Sequence, residues 1–177
     1  MDNKTSLGLL IGLCLLGTPA AQSQAPAPGA GGAVDVAALQ AEVERLRSIM
    51  PGQWFAMTQI GYNFSNLWFA AHEENWPLSQ FYFNETKVRL RWALRITSTR
   101  KISSGEIALT PILEALEANQ LAALEQSLAA RDVQRFESAY RAMLDGCNGC
   151  HAASEKPYLR LQIPRAPAEP LIDFDAD

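Results

Sequence analysis

Charged side chains, cysteines and histidines are all scarce in this sequence. Asp, Glu, Lys and Arg make up 19 % of the 177 residues and apolar residues 48 %, so the chain is no disordered polyelectrolyte and has enough apolar residues for a core. There are only three cysteines and two histidines. A tetrahedral zinc site would need nearly all of these side chains in one place, so the composition argues against one.

Alternating strands, basic clusters and catalytic constellations are also missing. No stretch alternates apolar and polar residues convincingly, which favours helices over strands. No nucleophile stands beside a base, so no enzyme is predicted. The densest basic run lies in one helix-like segment, and such a run is usually the solvated face of a helix. It consists of Arg89, Arg91, Arg95, Arg100 and Lys101. We therefore expect no nucleic-acid partner.

The N-terminal residues are typical of a secretory signal. Lys4 supplies a thin positive region, and the apolar residues 7–16 that follow are too few to span a bilayer. We expect a signal peptide over residues 1–23, export to the periplasm, and no membrane span in the mature chain. Cleavage removes Cys14, so two cysteines remain.

Apolar periodicity predicts an all-α chain with four long helical segments. They cover about residues 53–73, 78–100, 110–128 and 132–151, separated by short turns. Four such helices with short links predict an antiparallel four-helix bundle over residues 51–155. The apolar face of the second segment consists of Phe81, Val88, Trp92 and Ile96. That of the third consists of Leu113, Leu116, Leu124 and Leu128, and that of the fourth of Val133, Phe136, Tyr140, Leu144 and Cys147.

Three further parts flank this bundle. Residues 24–33 form a flexible linker rich in Pro, Gly and Ala, and residues 156–177 form a Pro-rich tail that is either disordered or laid across the bundle. Residues 34–50 form an amphipathic helix. Its apolar residues repeat with coiled-coil spacing: Val36, Leu39, Val43, Leu46 and Met50. This helix packs either on its own domain or on a second copy, and we expect a homo-oligomer, most simply a dimer.

The sequence Cys147-Asn148-Gly149-Cys150-His151 matches the C-x-x-C-H pattern by which haem c is attached. Residues three apart lie on one face of a helix, so both cysteine sulfurs reach one edge of the haem and add to its two vinyl groups. The next residue directs an imidazole at the iron. The motif therefore predicts one covalently bound haem c, with His151 as an axial ligand.

Three other interpretations of these cysteines fit less well. A thioredoxin-like redox pair opens a helix within a βαβ unit, whereas this pair closes a helix. Zinc would want four ligands, and the mature chain offers two cysteines and two histidines. A structural disulfide accounts for neither His151 nor the position of the pair.

A C-x-x-C-H motif at the end of the last of four helices resembles the cytochrome c′ family, the class II cytochromes c. The resemblance covers about residues 53–154 and includes Tyr140, eleven residues before His151. It implies a haem packed in the bundle near the end of the last helix, with Cys147 and Cys150 carrying it and His151 as the proximal ligand. The helix over residues 34–50 and the Pro-rich tail are additions to the family pattern.

Bundle geometry limits what surrounds this haem. In an up-down-up-down bundle His151 is level with the start of the first helix, and His72 lies roughly 20 Å away at the other end. Met57 is therefore the candidate sixth ligand, with an open or blocked distal face as the alternative. Arg100, and Lys101 beside it, are placed to pair with the haem propionates.

These features predict a periplasmic mono-haem cytochrome that transfers electrons to a redox partner protein. Two alternatives stay open. One is a five-coordinate haem protein that binds NO or CO, and the other is a haem subunit of a larger redox complex, docked through the helix over residues 34–50.

Overall fold

A computed structural model describes residues 35–168 and 173–175. These residues are mostly helical with one small two-stranded sheet, which confirms the all-α class. The chain divides into two compact units between Glu44 and Arg45. The predicted signal peptide (1–23) and linker (24–33) lie outside the described residues. Within the described part of the chain, every helix is too short or too polar to cross a bilayer.

Helix α1 covers Val36–Ile49, close to the predicted range of 34–50. Asp35 begins it, because its Oδ1 accepts hydrogen bonds from the N–H groups of Ala37 and Ala38 at 3.0 and 3.1 Å. The boundary between the two units falls inside this helix. The side chains with coiled-coil spacing are exposed, namely Val36, Leu39, Val43, Leu46 and Met50.

Helices α2 (Gln53–His72) and α3 (Trp76–Ile96) pack against each other. The side chain of Asn75 caps α3 by accepting a hydrogen bond from the N–H of Leu78 at 3.1 Å. The predicted core face of α3 is wrong in part: Trp92 and Ile96 pack against the core, but Phe81 and Val88 are 55 % and 50 % exposed. The buried face instead consists of Ser79, Tyr82, Phe83, Thr86, Leu90 and Ala93. Because apolar residues occur on both sides of this helix, spacing alone does not select its inner face.

A hairpin follows α3 where a helix was predicted to continue. Strands β1 (Thr99–Ile102) and β2 (Gly105–Ala108) pair antiparallel, with Ile102 opposite Gly105. The expectation of no strands, and of a second helix reaching Arg100, is therefore wrong here. Strands of four residues are too short to display a clear alternation. Arg100 consequently lies on β1 and not at a helix end.

The last helices carry the predicted buried stripes. Helix α4 (Thr110–Leu116) continues through a π-helical turn (Glu117–Leu121) into α5 (Ala122–Ala130), which Arg131 ends in a left-handed conformation. Helix α6 covers Val133–Ala153 and is capped by the side chain of Asp132, which accepts from the N–H of Arg135 at 3.0 Å. On α6 the buried residues include Phe136, Tyr140 and Leu144, as predicted.

The core lies between α2, α3, α4–α5 and α6. The ring of Tyr140 on α6 stacks on Phe64 of α2 at 4.1 Å, and its hydroxyl donates to the Phe64 carbonyl at 2.8 Å. Three of the described tail residues lie against this core. Leu161 and Ile163 are partly buried on it, and Phe174 stacks with Tyr82 at 6.3 Å between ring centroids.

Candidate functional site

The end of α6 brings Cys147, Cys150 and His151 to one site. All three side chains line the same cavity, which has a volume of about 190 Å³. The two cysteines stand one helical turn apart, and both are free of disulfides. The three residues of the motif therefore share one partly open cavity at the end of α6.

The rest of this cavity is apolar and comes from α2, α3, α4 and the tail. Its lining residues are Met57, Ile60 and Gly61 from α2, Leu90 and Leu94 from α3, Leu109, Ile112, Leu113 and Leu116 at α4, and Leu161 from the tail. Met57 lies beside the motif, as expected from its position near the start of α2. Leu161 was not foreseen, because no pattern in the tail indicates which helix it returns to.

A second cavity of about 380 Å³ adjoins the first and shares Met57, Leu109, Cys150 and His151 with it. It adds the cations Arg100 and Lys156. The Arg100 guanidinium donates a hydrogen bond to the side-chain oxygen of Gln53, another residue of this cavity. The structure thus places Arg100 beside the motif, although on a strand. Lys101 next to it is exposed and does not line the cavity.

Both thiols of the motif are held in their neutral form. Burial raises the pKa of the Cys147 thiol to about 12, and the neighbouring Cys150 adds to the rise. Burial also raises the pKa of Cys150, against the opposing effects of a hydrogen bond with Ser154 and of the Arg100 charge. At neutral pH each cysteine therefore carries its hydrogen.

The imidazole of His151 has one nitrogen fixed by the tail. Its Nδ1 lies 2.6 Å from the carbonyl oxygen of Leu159. A carbonyl only accepts hydrogen bonds, so Nδ1 carries a hydrogen, and in the neutral imidazole Nε2 is the nitrogen with the lone pair. This is the arrangement that metal-ligating histidines usually have, with the non-ligating nitrogen donating to an outer partner.

Asn148, a variable position of the motif, forms a two-bond pair with the backbone of Leu161. Its Nδ2 donates to the Leu161 carbonyl at 3.2 Å, and its Oδ1 accepts from the Leu161 N–H at 2.7 Å. The sequence predicts a role for neither residue. No sequence pattern indicates the contact between Asn148 and Leu161, because it joins a helix to an irregular segment.

His72 takes no part in this site. Its Nδ1 lies 2.7 Å from the Trp68 carbonyl oxygen, and its Nε2 lies 3.1 Å from Oε1 of Glu137. The hydrogen bond from His72, aided by Arg141, lowers the pKa of Glu137. Glu137 precedes His151 on α6 by four helical turns, about 21 Å along its axis. His72 therefore lies at the other end of α6, as predicted.

The described residues hold no group of three or more His, Cys, Asp or Glu side chains that could bind a metal ion by themselves. Comparisons with family models, with curated proteins and with solved structures found no match to the chain.

Proposed function

We propose that the chain is an exported c-type cytochrome that carries one haem c within an antiparallel four-helix bundle made of α2, α3, α4–α5 and α6. The observation that carries this proposal is that Cys147, Cys150 and His151 line one apolar cavity. Their order and spacing supply two thiols and one imidazole, the complement that a covalent haem needs.

The chain's own residues would divide the work of holding the haem. Cys147 and Cys150 would hold the haem through two thioether bonds, each the product of adding one thiol S–H across one haem vinyl group. Nε2 of His151 is the nitrogen available to the iron, because Nδ1 donates to Leu159. Arg100 and Lys156 supply positive charge for the propionates. When bound, the haem supplies a one-electron couple, and the apolar lining keeps water from it.

The other interpretations of the cysteine pair are less consistent with the contacts. Zinc would require His72 as the remaining nitrogen ligand, but both ring nitrogens of His72 face other partners at the far end of α6. The cysteines are not joined to each other. A covalent haem uses both thiols and His151 together.

The decisive experiment is to express the full chain in a host that attaches haem c and to extract it with acidified organic solvent. The haem should stay with the wild-type protein. Changing Cys147 or Cys150 to Ala should weaken its covalent retention, and changing both should abolish it. A matched control is Ser127→Ala, a buried change distant in sequence from the motif that should leave retention intact. Extraction of haem from the wild type would refute the proposal.

Gas binding is a second candidate function. Apart from the motif itself, Met57 is the one described residue of the cavity lining whose side chain could ligate iron, and the other lining residues are apolar. A thioether on the iron suits electron transfer, whereas an open site surrounded by apolar groups suits CO or NO. Optical and EPR spectra report the coordination number. The rate of CO binding to the reduced protein then separates the two cases. Equal rates in the wild type and in Met57→Leu indicate an open site, whereas a higher rate in Met57→Leu indicates that Met57 ligates the iron.

The cellular setting belongs to the same proposal. The signal-like residues 1–23 support export to the periplasm, where haem c is attached. An electron-transfer protein needs a redox partner, as a separate protein or as the larger complex of which this chain is a subunit.

A further inference from the structure

We propose that residues 159–161, named here the tail clamp, control the electronic properties of the iron through His151, and that Asn148 is the positioning residue that holds the clamp. This inference rests on the proposed haem function. It assigns a role to the tail and to a variable position of the motif, both outside the attachment chemistry.

The backbone after α6 turns back so that the tail meets the helix it has just left. Glu155 adopts a left-handed conformation with φ of 57°, and the N–H of Lys156 donates to the His151 carbonyl at 2.8 Å. The N–H of Leu159 then donates to the Lys156 carbonyl at 3.0 Å. The Glu155 carboxylate accepts from the N–H of Ser103 at 2.8 Å, which ties this turn to the hairpin.

Two residues of the motif contact the returning segment. The Asn148 amide pairs with both backbone groups of Leu161, and the His151 ring donates to the carbonyl of Leu159. Asn148 and His151 are three apart, so they lie on the same face of α6. Because Leu159 and Leu161 are separated by one residue, a bond that fixes Leu161 also restricts the position of the Leu159 carbonyl.

The hydrogen bond from Nδ1 acts on the iron through the ring. It fixes the tautomer and the ring orientation, and it makes Nε2 a stronger electron donor. Stronger donation stabilises ferric over ferrous iron, so an intact clamp lowers the reduction potential. Asn148 touches neither haem nor iron in this scheme, and its effect passes through Leu161, Leu159 and His151.

Leu161 has a second effect that the experiment must separate from the first. Its side chain lines the 190 Å³ cavity, so losing it admits water, which also favours ferric iron. Leu161→Ala removes this apolar wall but keeps the N–H and carbonyl that Asn148 contacts. Asn148→Ala removes the two hydrogen bonds and keeps the Leu161 side chain. Each variant therefore removes one of the two effects and keeps the other.

The test uses the full holoprotein in wild-type form and as Asn148→Ala, Asn148→Asp and Leu161→Ala. Three quantities are measured: the reduction potential, the solvent exchange of the His151 Nδ1–H by NMR, and the amide exchange of Leu161. Asn148→Ala should raise the potential and speed both exchanges, with the Leu161 amide exchanging roughly two- to ten-fold faster. Asn148→Asp keeps an acceptor for the Leu161 N–H and should restore part of the protection. Leu161→Ala should leave the His151 Nδ1–H protected and should not raise the potential.

Failure of the clamp differs from failure of the proposed function. If Asn148→Ala carries covalent haem but keeps the wild-type potential and Nδ1–H exchange, the clamp is refuted while the cytochrome proposal stands. If wild-type protein carries no covalent haem, the proposed function fails and the clamp's action on iron fails with it. A Leu161→Ala variant that raises the potential as much as Asn148→Ala would also refute the scheme.

Discussion

The two histidines show how the surroundings of a side chain determine its chemistry. His151 has one nitrogen bonded to a carbonyl and lines two cavities, which leaves Nε2 available to a ligand. His72 has a partner on each nitrogen, and its ring packs on Trp68 with 4.1 Å between centroids. The first histidine is suited to binding and the second to joining α2 with α6.

We therefore predict that His72→Ala leaves the optical and EPR spectra of the holoprotein unchanged. It should lower the free energy of unfolding by about 1–2 kcal/mol, because the partly buried hydrogen bonds to Trp68 and Glu137 are lost. Denaturant unfolding measures that change. His151→Ala is the matched variant and should change the spectra. A bis-histidine spectrum that disappears in His72→Ala would show that the helix arrangement proposed here is wrong.

At the scale of elements, the hairpin and the end of α6 form one side of the site together. The hairpin carries Arg100 on β1 to the edge of the second cavity, and Glu155 after α6 binds Ser103 in its turn. Gly105 permits the reversal, since its φ of 136° is a conformation that residues with a Cβ rarely adopt. The hairpin thus positions a cation that a continuous helix would have placed elsewhere.

Two glycine substitutions should have opposite effects on stability. Gly105→Ala should lower the free energy of unfolding by about 1–3 kcal/mol, because alanine is strained at this φ. Gly149→Ala should raise it by up to about 1 kcal/mol, because a Cβ there meets open space within α6 and alanine favours helix. Thermal or denaturant unfolding compares the two variants. Changes of the same sign in both would contradict the backbone assigned to one of these positions.

At the scale of the whole molecule, charge and apolar surface are unevenly distributed. The chain has a formal net charge of −4, yet Arg100 and Lys156 both lie at the second cavity. The apolar positions of α1 repeat with the spacing of a coiled-coil seam and are exposed. Two heptads are marginal as an isolated coiled coil, so association through α1 needs further contact area. We propose a two-fold dimer, the simplest arrangement, in which surfaces outside α1 add that contact area.

Deleting residues 34–50 should therefore reduce the assembled mass from dimer to monomer and leave covalent haem in place. The reason is that the deletion removes the apolar seam but none of the residues that line the two cavities. Light scattering gives the mass and acidified solvent extraction tests the haem. Replacing the exposed Gln40 on the same helix with Ala provides a control that keeps the seam. A monomer both with and without the segment would remove the proposed dimer.

The sequence by itself determined the features that depend on neighbours along the chain. The five residues from Cys147 to His151 lie within one helix, so their relative placement follows from helical geometry alone. The same is true of the buried stripe of α6 and of the caps at Asn75 and Asp132, because a cap and its helix are adjacent in sequence.

Tertiary structure alone decided which distant residues meet these local features. Neither the adjacent residues in the sequence nor the apolar periodicity indicates that Leu161 lines the cavity, that Asn148 holds the tail, or that Arg100 reaches the site from a strand. The inner face of α3 was likewise undetermined, because both of its sides carry apolar residues. Burial is a property of the folded whole, and free energy is gained only when a particular pair of segments excludes water together. A single segment of sequence does not contain that information.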